Sequence, residues 1–231
     1  MPYGMACEDL LAAFAKRGGG GTGNLRRALE RCAAQRVSPQ SCRNRVGRDA
    51  LCLAASHGSA ADVRLLLGSG ARTTAALHHH HHQSNASTFD PNTEDIHGIR
   101  PLSIAAQRGN AMIIQLLLRA GAKPDVQDMF GIAAIHKAAA FGHAAAVKAL
   151  LSNSSSIDAN TPTGHVTAPH HLEAKSARNL MPLHLAVRAS SAVPRSNRCE
   201  TAATLLDGGA AVNGRDGVGR TPLHACCGEC N

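Results

Sequence analysis

Apolar positions along this chain gather into two kinds of cluster that alternate in a fixed order. The first kind is short and rich in small residues: Leu51-Cys52-Leu53-Ala54-Ala55, Leu102-Ser103-Ile104-Ala105-Ala106, Ile135-His136-Lys137-Ala138-Ala139 and Leu183-His184-Leu185-Ala186. The second kind is leucine-rich: Leu65-Leu66-Leu67, Leu116-Leu117-Leu118, Leu150-Leu151 and Leu205-Leu206. Gly70, Gly121 and Gly209 follow three of the leucine clusters, where a left-handed residue ends a helix. Pro101, Pro182 and Pro222 open the small-residue clusters, as expected at the first helical position, where no amide is left unpaired. The pattern predicts helix pairs: a first helix with small residues for close approach to its neighbours, and a second whose leucines fill the space between pairs.

The turn leading into each pair also repeats. Its cleanest copy is Gly219-Arg220-Thr221-Pro222-Leu223-His224-Ala225-Cys226; earlier ones start at Gly47, Gly98, Gly131 and Asn179. The residues aligned with Thr221 are Asp49, Arg100, Ala133 and Met181, so successive spacings are 51, 33, 48 and 40 residues. Two motifs in constant order mean a repeat array, and this one resembles the ankyrin repeat family, whose period is about 33 residues. The three long spacings exceed that period by 18, 15 and 7 residues. The excess falls at a His-rich stretch (73–89), an irregular stretch (161–177) and a short segment with Pro194 between the two helices of one repeat.

The resemblance implies an all-α ankyrin-repeat solenoid of stacked helix pairs with finger loops. It divides the chain into a degenerate N-terminal capping pair (1–41), repeats at 42–72, 90–124, 125–160 and 178–213, and a truncated repeat at 214–231. In the family the motif histidine (His136, His184 and His224 here) bonds a neighbouring turn, which makes these histidines structural. Threonine before the proline can cap the helix amides. Asp49-Ala50, Ala133-Ala134 and Met181 lose Thr, Pro or both, so those turns are expected to be looser. In the capping pair Leu10, Leu11 and Phe14 form one apolar side, and Arg26, Arg27 and Arg31 suit an outward face. The fifth copy stops after about two turns of its first helix, leaving the array without a polar cap. The expectation is a fragment, or the targeting arm of a longer enzyme, channel or ubiquitin-ligase component.

Composition narrows the function classes. Aromatics are 2% and Trp is absent, so packing relies on aliphatic residues and argues against a β-rich fold. No secretory signal and no long apolar run appear, so the sequence offers no membrane span. Eight cysteines in that setting are expected to be reduced thiols, and the chain cytoplasmic or nuclear. Net charge is +8, of which residues 1–72 carry +6. That end could attract nucleic acid, but no aromatic residues interleave with its arginines for base stacking.

No motif sustains a catalytic, cofactor or metal assignment. Cys227-Gly228-Glu229-Cys230 lacks both a thioredoxin-like context and a second ligand pair for zinc. His78–His82 is explained as a loop tract, and Gly18–Gly23 lacks the Gly-Lys-Ser/Thr ending of a phosphate loop. The sequence therefore points to a non-enzymatic interaction module whose partner is another protein, with no small-molecule substrate.

In the family, finger tips and the ends of the first helices form a concave binding face. The matching positions are Val46 with Ser56 and His57; Ile96 and His97 with Gln107 and Arg108; and Met129 and Phe130 with Ala140 and Phe141. Large apolar residues at exposed positions are the informative ones, so Met129, Phe130 and Phe141 are expected to converge on one patch.

Overall fold

A computed structural model describes residues 3–15, 22–68, 89–152, 172–190 and 192–227. His78–His82, Gly18–Gly21, Gly70 and Cys230 lie outside them. All the regular structure described is helical. The order is α1 (Tyr3–Ala15), α2 (Thr22–Ala34), a 3₁₀ turn (Pro39–Ser41), α3 (Ala50–His57), α4 (Ala60–Leu66), α5 (Pro101–Arg108) and α6 (Ala111–Arg119). It continues with α7 (Ala134–Ala140), α8 (Ala144–Ser152), α9 (Pro182–Val187), α10 (Arg195–Asp207) and α11 (Pro222–Cys227).

Odd-numbered helices pack on odd-numbered ones from α1 to α11, and even on even from α2 to α10. The result is two stacked rows, an inner one of α1, α3, α5, α7, α9 and α11 and an outer one. Inner helices come close because Ala54, Ala55, Ala105, Ala106, Ala138 and Ala139 present almost no side-chain bulk and are fully buried. Outer helices contribute larger groups: α6 buries Ile113, Ile114, Leu117 and Leu118, each worth about 1.5–3 kcal/mol when taken from water. The α1–α2 pair joins the same core through Leu10, Phe14, Leu25 and Cys32.

Local chemistry sets the helix starts. Pro101 and Pro182 occupy the first turns of α5 and α9. Asp49, 1% exposed, accepts the Cys52 amide at 2.8 Å, so the turn before α3 is capped although it lacks Thr-Pro. That corrects the expectation of a loose turn there, because aspartate is as good a cap as threonine. Between inner and outer helix, Gly109 sits at φ 75°; a Cβ there would lie 2.7 Å from His143 Nδ1, so only glycine fits. After α4, Gly68 is left-handed at φ 75°.

Two further expectations need correction. The stretches 73–89 and 161–177 were set apart from the repeats as excess length, yet each contains a buried apolar residue of the core, Phe89 (3% exposed) and Leu172 (1%). Phe89 stands six residues before Asp95, where Ala122 precedes Asp128 and Ala210 precedes Asp216, so it fills the same core position. The second correction concerns the thiols: Cys7 and Cys42 form a disulfide. The fold brings the Cα atoms of Cys7 on α1 and Cys42, just after the turn at 39–41, to 5.0 Å, within bridging range. Cys52 is a buried free thiol and Cys199 an exposed one. Burial, then the nearby Asp49 carboxylate, pushes the Cys52 thiol well up, so it stays protonated.

Candidate protein-binding face

Five loops precede α3, α5, α7, α9 and α11, and each is built on one polar side chain at its first position. In the second loop Asp95 Oδ1 accepts the amides of His97 and Ile99, both at 2.9 Å. Asp128 Oδ1 does the same for Phe130 and Ile132, and Asp216 Oδ1 for Val218 and Arg220. Asn44 substitutes in the first loop, binding the amides of Val46 and Arg48. Ser176 substitutes in the fourth, where its hydroxyl accepts only the Leu180 amide. Three residues after the acceptor the chain turns left-handed, at Gly47, Gly98, Gly131, Asn179 and Gly219. Asn179 (φ 55°) takes the glycine place at small cost, since Asn tolerates this region better than other side chains. The acceptor-x-x-Gly spacing is a turn signal present in the sequence, and the reading of the motif missed it by starting at the glycine.

Adjacent finger tips are tied to one another by backbone bonds. Ile96 N donates to Val46 O, Met129 N to His97 O, and Ala177 N to Phe130 O, each at 3.2 Å. A Cβ on Gly131 would come within 2.6 Å of Ala177 N. Glycine therefore serves both the left-handed turn and the close approach of the next finger. The tips make a continuous backbone strip whose side chains recur in register from finger to finger.

Ion pairs support the strip: Arg48 of the first finger meets Asp95 of the second at 3.0 Å, Lys137 of α7 meets Asp128 at 3.0 Å, and Arg220 meets Asp216 within the fifth finger at 3.1 Å. Burial tends to raise the Asp95 carboxyl, but the amides of Ile99 and His97 and the Arg48 guanidinium outweigh it and hold it below its ordinary 3.8. The Arg220 amide, with the Val218 amide and the Arg220 guanidinium, lowers Asp216 in the same way. His136 is fully buried; its Nδ1 accepts the Ala133 amide (3.2 Å), so Nε2 carries the proton and donates to Ala174 O (2.9 Å). Burial pulls its pKa below the ordinary 6.5, against the Ala174 and Leu180 backbone bonds and the Asp128 carboxylate. His184 Nε2 bonds Arg220 O (3.0 Å) in the equivalent way.

The residues singled out from the sequence fall into three places. Ile96, His97, Met129 and Phe130 are exposed on adjoining finger tips. Gln107, Arg108 and Phe141 are exposed at the ends of the inner helices α5 and α7; His143 links them, bonding Gln107 O at 3.1 Å while the Phe141 ring stacks on its imidazole at 6.3 Å. His57 stands apart at the end of α3, 6.1 Å from the Phe14 ring, in an open groove of ≈ 540 Å³ between α1 and α3 lined also by Glu8, Leu11 and Leu53. Phe130 makes no ring contact among the described residues, so the two phenylalanines are held by separate supports. Among the described residues no group of three His, Cys, Asp or Glu is placed to hold a metal ion, and no helix is long and apolar enough to cross a membrane.

A family model described as ankyrin repeats (3 copies) matches residues 51–163 and, in an overlapping placement, 102–231. The chain belongs to the ankyrin repeat family. No curated protein matches it. Ankyrin repeats generally mediate protein–protein interaction, and ankyrin domains are typically non-catalytic modules. In this ankyrin array Ile96, Met129 and Phe130 are exposed on the finger strip and Phe141 at an inner-helix end.

Proposed function

We propose that this protein is a non-enzymatic adaptor or scaffold that recognises another protein through the concave face of its finger tips and inner-helix ends. One observation supports the reading above others: Ile96, Met129, Phe130 and Phe141 are 66%, 64%, 53% and 45% exposed. Ile96, Met129 and Phe130 sit on backbone already fixed by turn and inter-finger bonds, and Phe141 closes α7 with its amide bonded to Lys137 O, so little ordering entropy is lost when a partner covers them. Apolar side chains on a rigid support are where interface energy concentrates.

Alanine replacement separates binding from folding. Phe130→Ala and Phe141→Ala should each weaken a partner recovered by affinity capture by roughly 2 kcal/mol, with folding stability changed by less than about 1 kcal/mol. Variants that unfold as badly as Leu117→Ala would make these rings core and remove the site. The free thiols fit the cytoplasmic or nuclear setting read from the sequence, whereas the Cys7–Cys42 bond does not. Mass spectrometry of the chain alkylated in its native cell extract discriminates between the two.

A further inference from the structure

The finger turns sort charge between inside and outside. Each turn needs an acceptor at its first position, and forming the turn buries it: Asp95, Asp128 and Asp216 are 5%, 8% and 6% exposed. Each of these carboxylates also has its own cation in Arg48, Lys137 or Arg220. The remaining finger cations stay at the surface, Arg43 donating there to Gly47 O and Glu94 O and Arg215 to Gly219 O. Arg43, Arg45, Lys175, Arg178 and Arg215 are exposed, and none pairs with a carboxylate among the described residues. Between the residue before each acceptor and the residue four after it, the one exposed acid is Glu94, held by Arg100 at 3.1 Å. Acids that balance the fingers in the sequence are thus withdrawn from the surface by the fold.

Register places these cations around the apolar side chains. Arg45 occupies in the first finger the position that Ile96 and Met129 occupy in the second and third. Arg178 occupies in the fourth the position that Phe130 occupies in the third. Along the strip the order is cation, apolar centre, cation, with Arg43 and Lys175 adjoining the two ends.

We propose that this strip binds an extended acidic peptide segment of a partner protein, one whose Asp or Glu residues flank one or two large apolar side chains. The apolar side chains cover Ile96, Met129 and Phe130, and the carboxylates meet Arg45 and Arg178. This rests on the reading of the finger face as the recognition surface and adds the chemistry of the partner. Exposed cations at the rim of such a surface govern association rate and selectivity, and their effect falls with added salt. A single-stranded nucleic acid fits less well: at the centre the His97 and Phe130 rings are one to a finger and interleaved with Ile96 and Met129, where base binding uses successive stacking rings.

The test pans the full chain against a library of displayed random peptides and measures the selected consensus, as a synthetic peptide, by fluorescence anisotropy. The expected consensus has Asp or Glu on both sides of Leu, Ile, Met or Phe. Arg45→Glu and Arg178→Glu should each weaken it by roughly tenfold. Its binding should also weaken with salt, and Phe130→Ala should weaken it as well. A neutral or basic consensus, or no consensus, overturns the proposal, as does a single-stranded oligonucleotide binding more tightly than the selected peptide. Loss with Phe130→Ala but not with the arginine reversals overturns the charge assignment and leaves the finger face standing. Indifference to all of these variants sinks both.

Discussion

The helix pairs α5–α6 and α9–α10 hold the same place in the stack but stand on different supports. Before α5, Asp95 gathers two amides and the Arg48 guanidinium; before α9, Ser176 gathers one amide and Asn179 replaces the left-handed glycine. α5 passes to α6 in two residues through Gly109, whereas α9 ends at Val187 and α10 begins only at Arg195. The outer helices differ most. α6 buries four large aliphatic side chains in nine residues, and α10 buries only Thr201 and Leu205 in thirteen. Position in the array therefore needs little: an acceptor, a left-handed residue and a helix start. Stability comes from apolar packing, and it is spread unevenly.

Core truncation should give the largest contrast. Leu117→Ala, in the well-packed pair, is expected to cost roughly 2–5 kcal/mol by urea denaturation. Leu205→Ala should expose amides mainly in α9, α10 and α11 by hydrogen exchange, because repeats couple chiefly to their neighbours. Equal loss of protection in α5–α8 would show that the array unfolds as one unit, and the contrast between the pairs would vanish.

The finger turns come next. Gly131→Ala places a methyl 2.6 Å from Ala177 N at φ 69°, and should cost roughly 1–3 kcal/mol. Asn179→Gly should change the melting temperature little or raise it slightly, since the φ there is already left-handed. A large loss in Asn179→Gly would mean that the Asn side chain itself holds the fourth finger.

Acid should act on the fingers through Asp95, Asp216 and His136, the last of which holds Ala174 at the base of the Ser176 finger. The folded pKa of His136 lies below its unfolded value, so its stabilising effect is complete above about pH 6.5 and declines as pH falls toward the folded value. Asp95 and Asp216 are also lowered; their contribution is present above about pH 3.8 and is lost as pH falls through the folded pKa. Denaturation curves of the chain and of His136→Gln, compared from pH 7.5 to pH 5, should show a downward slope in the first and a flatter one in the second. Parallel curves would remove the histidine term.

The smallest expected effect is a gain. The Thr201 hydroxyl is fully buried and has no hydrogen-bond partner among the described residues. Thr201→Val should stabilise α10 by about 1 kcal/mol, by removing an unsatisfied polar group. A loss of that size would mean that the hydroxyl is paired after all.

Much of the fold was legible because its signals are local. Pro101 and Pro182 start helices, leucine clusters mark outer helices, and the repeated order of motifs reveals the stack. Asp49 as a cap was equally local, and was missed because aspartate was read as a departure from threonine rather than its equivalent. The positions of Ile96, Met129, Phe130 and Phe141 came from register. Phe89 and Leu172 were hidden inside polar surroundings, where the residues alone gave no reason to suppose burial.

The sequence by itself determined the helices, their order and the turn chemistry, because capping, helical spacing and acceptor-x-x-Gly turns act over a few residues. Only the tertiary structure decided what depends on stacking. The Cys7–Cys42 pair spans 35 residues and His136 reaches Ala174 across 38. The finger strip exists because the second, third and fourth tips each find a carbonyl on the one before. Charge sorting is of the same kind: carboxylates and guanidiniums count alike in the sequence, and burial of the turn acceptors leaves the arginines on the surface.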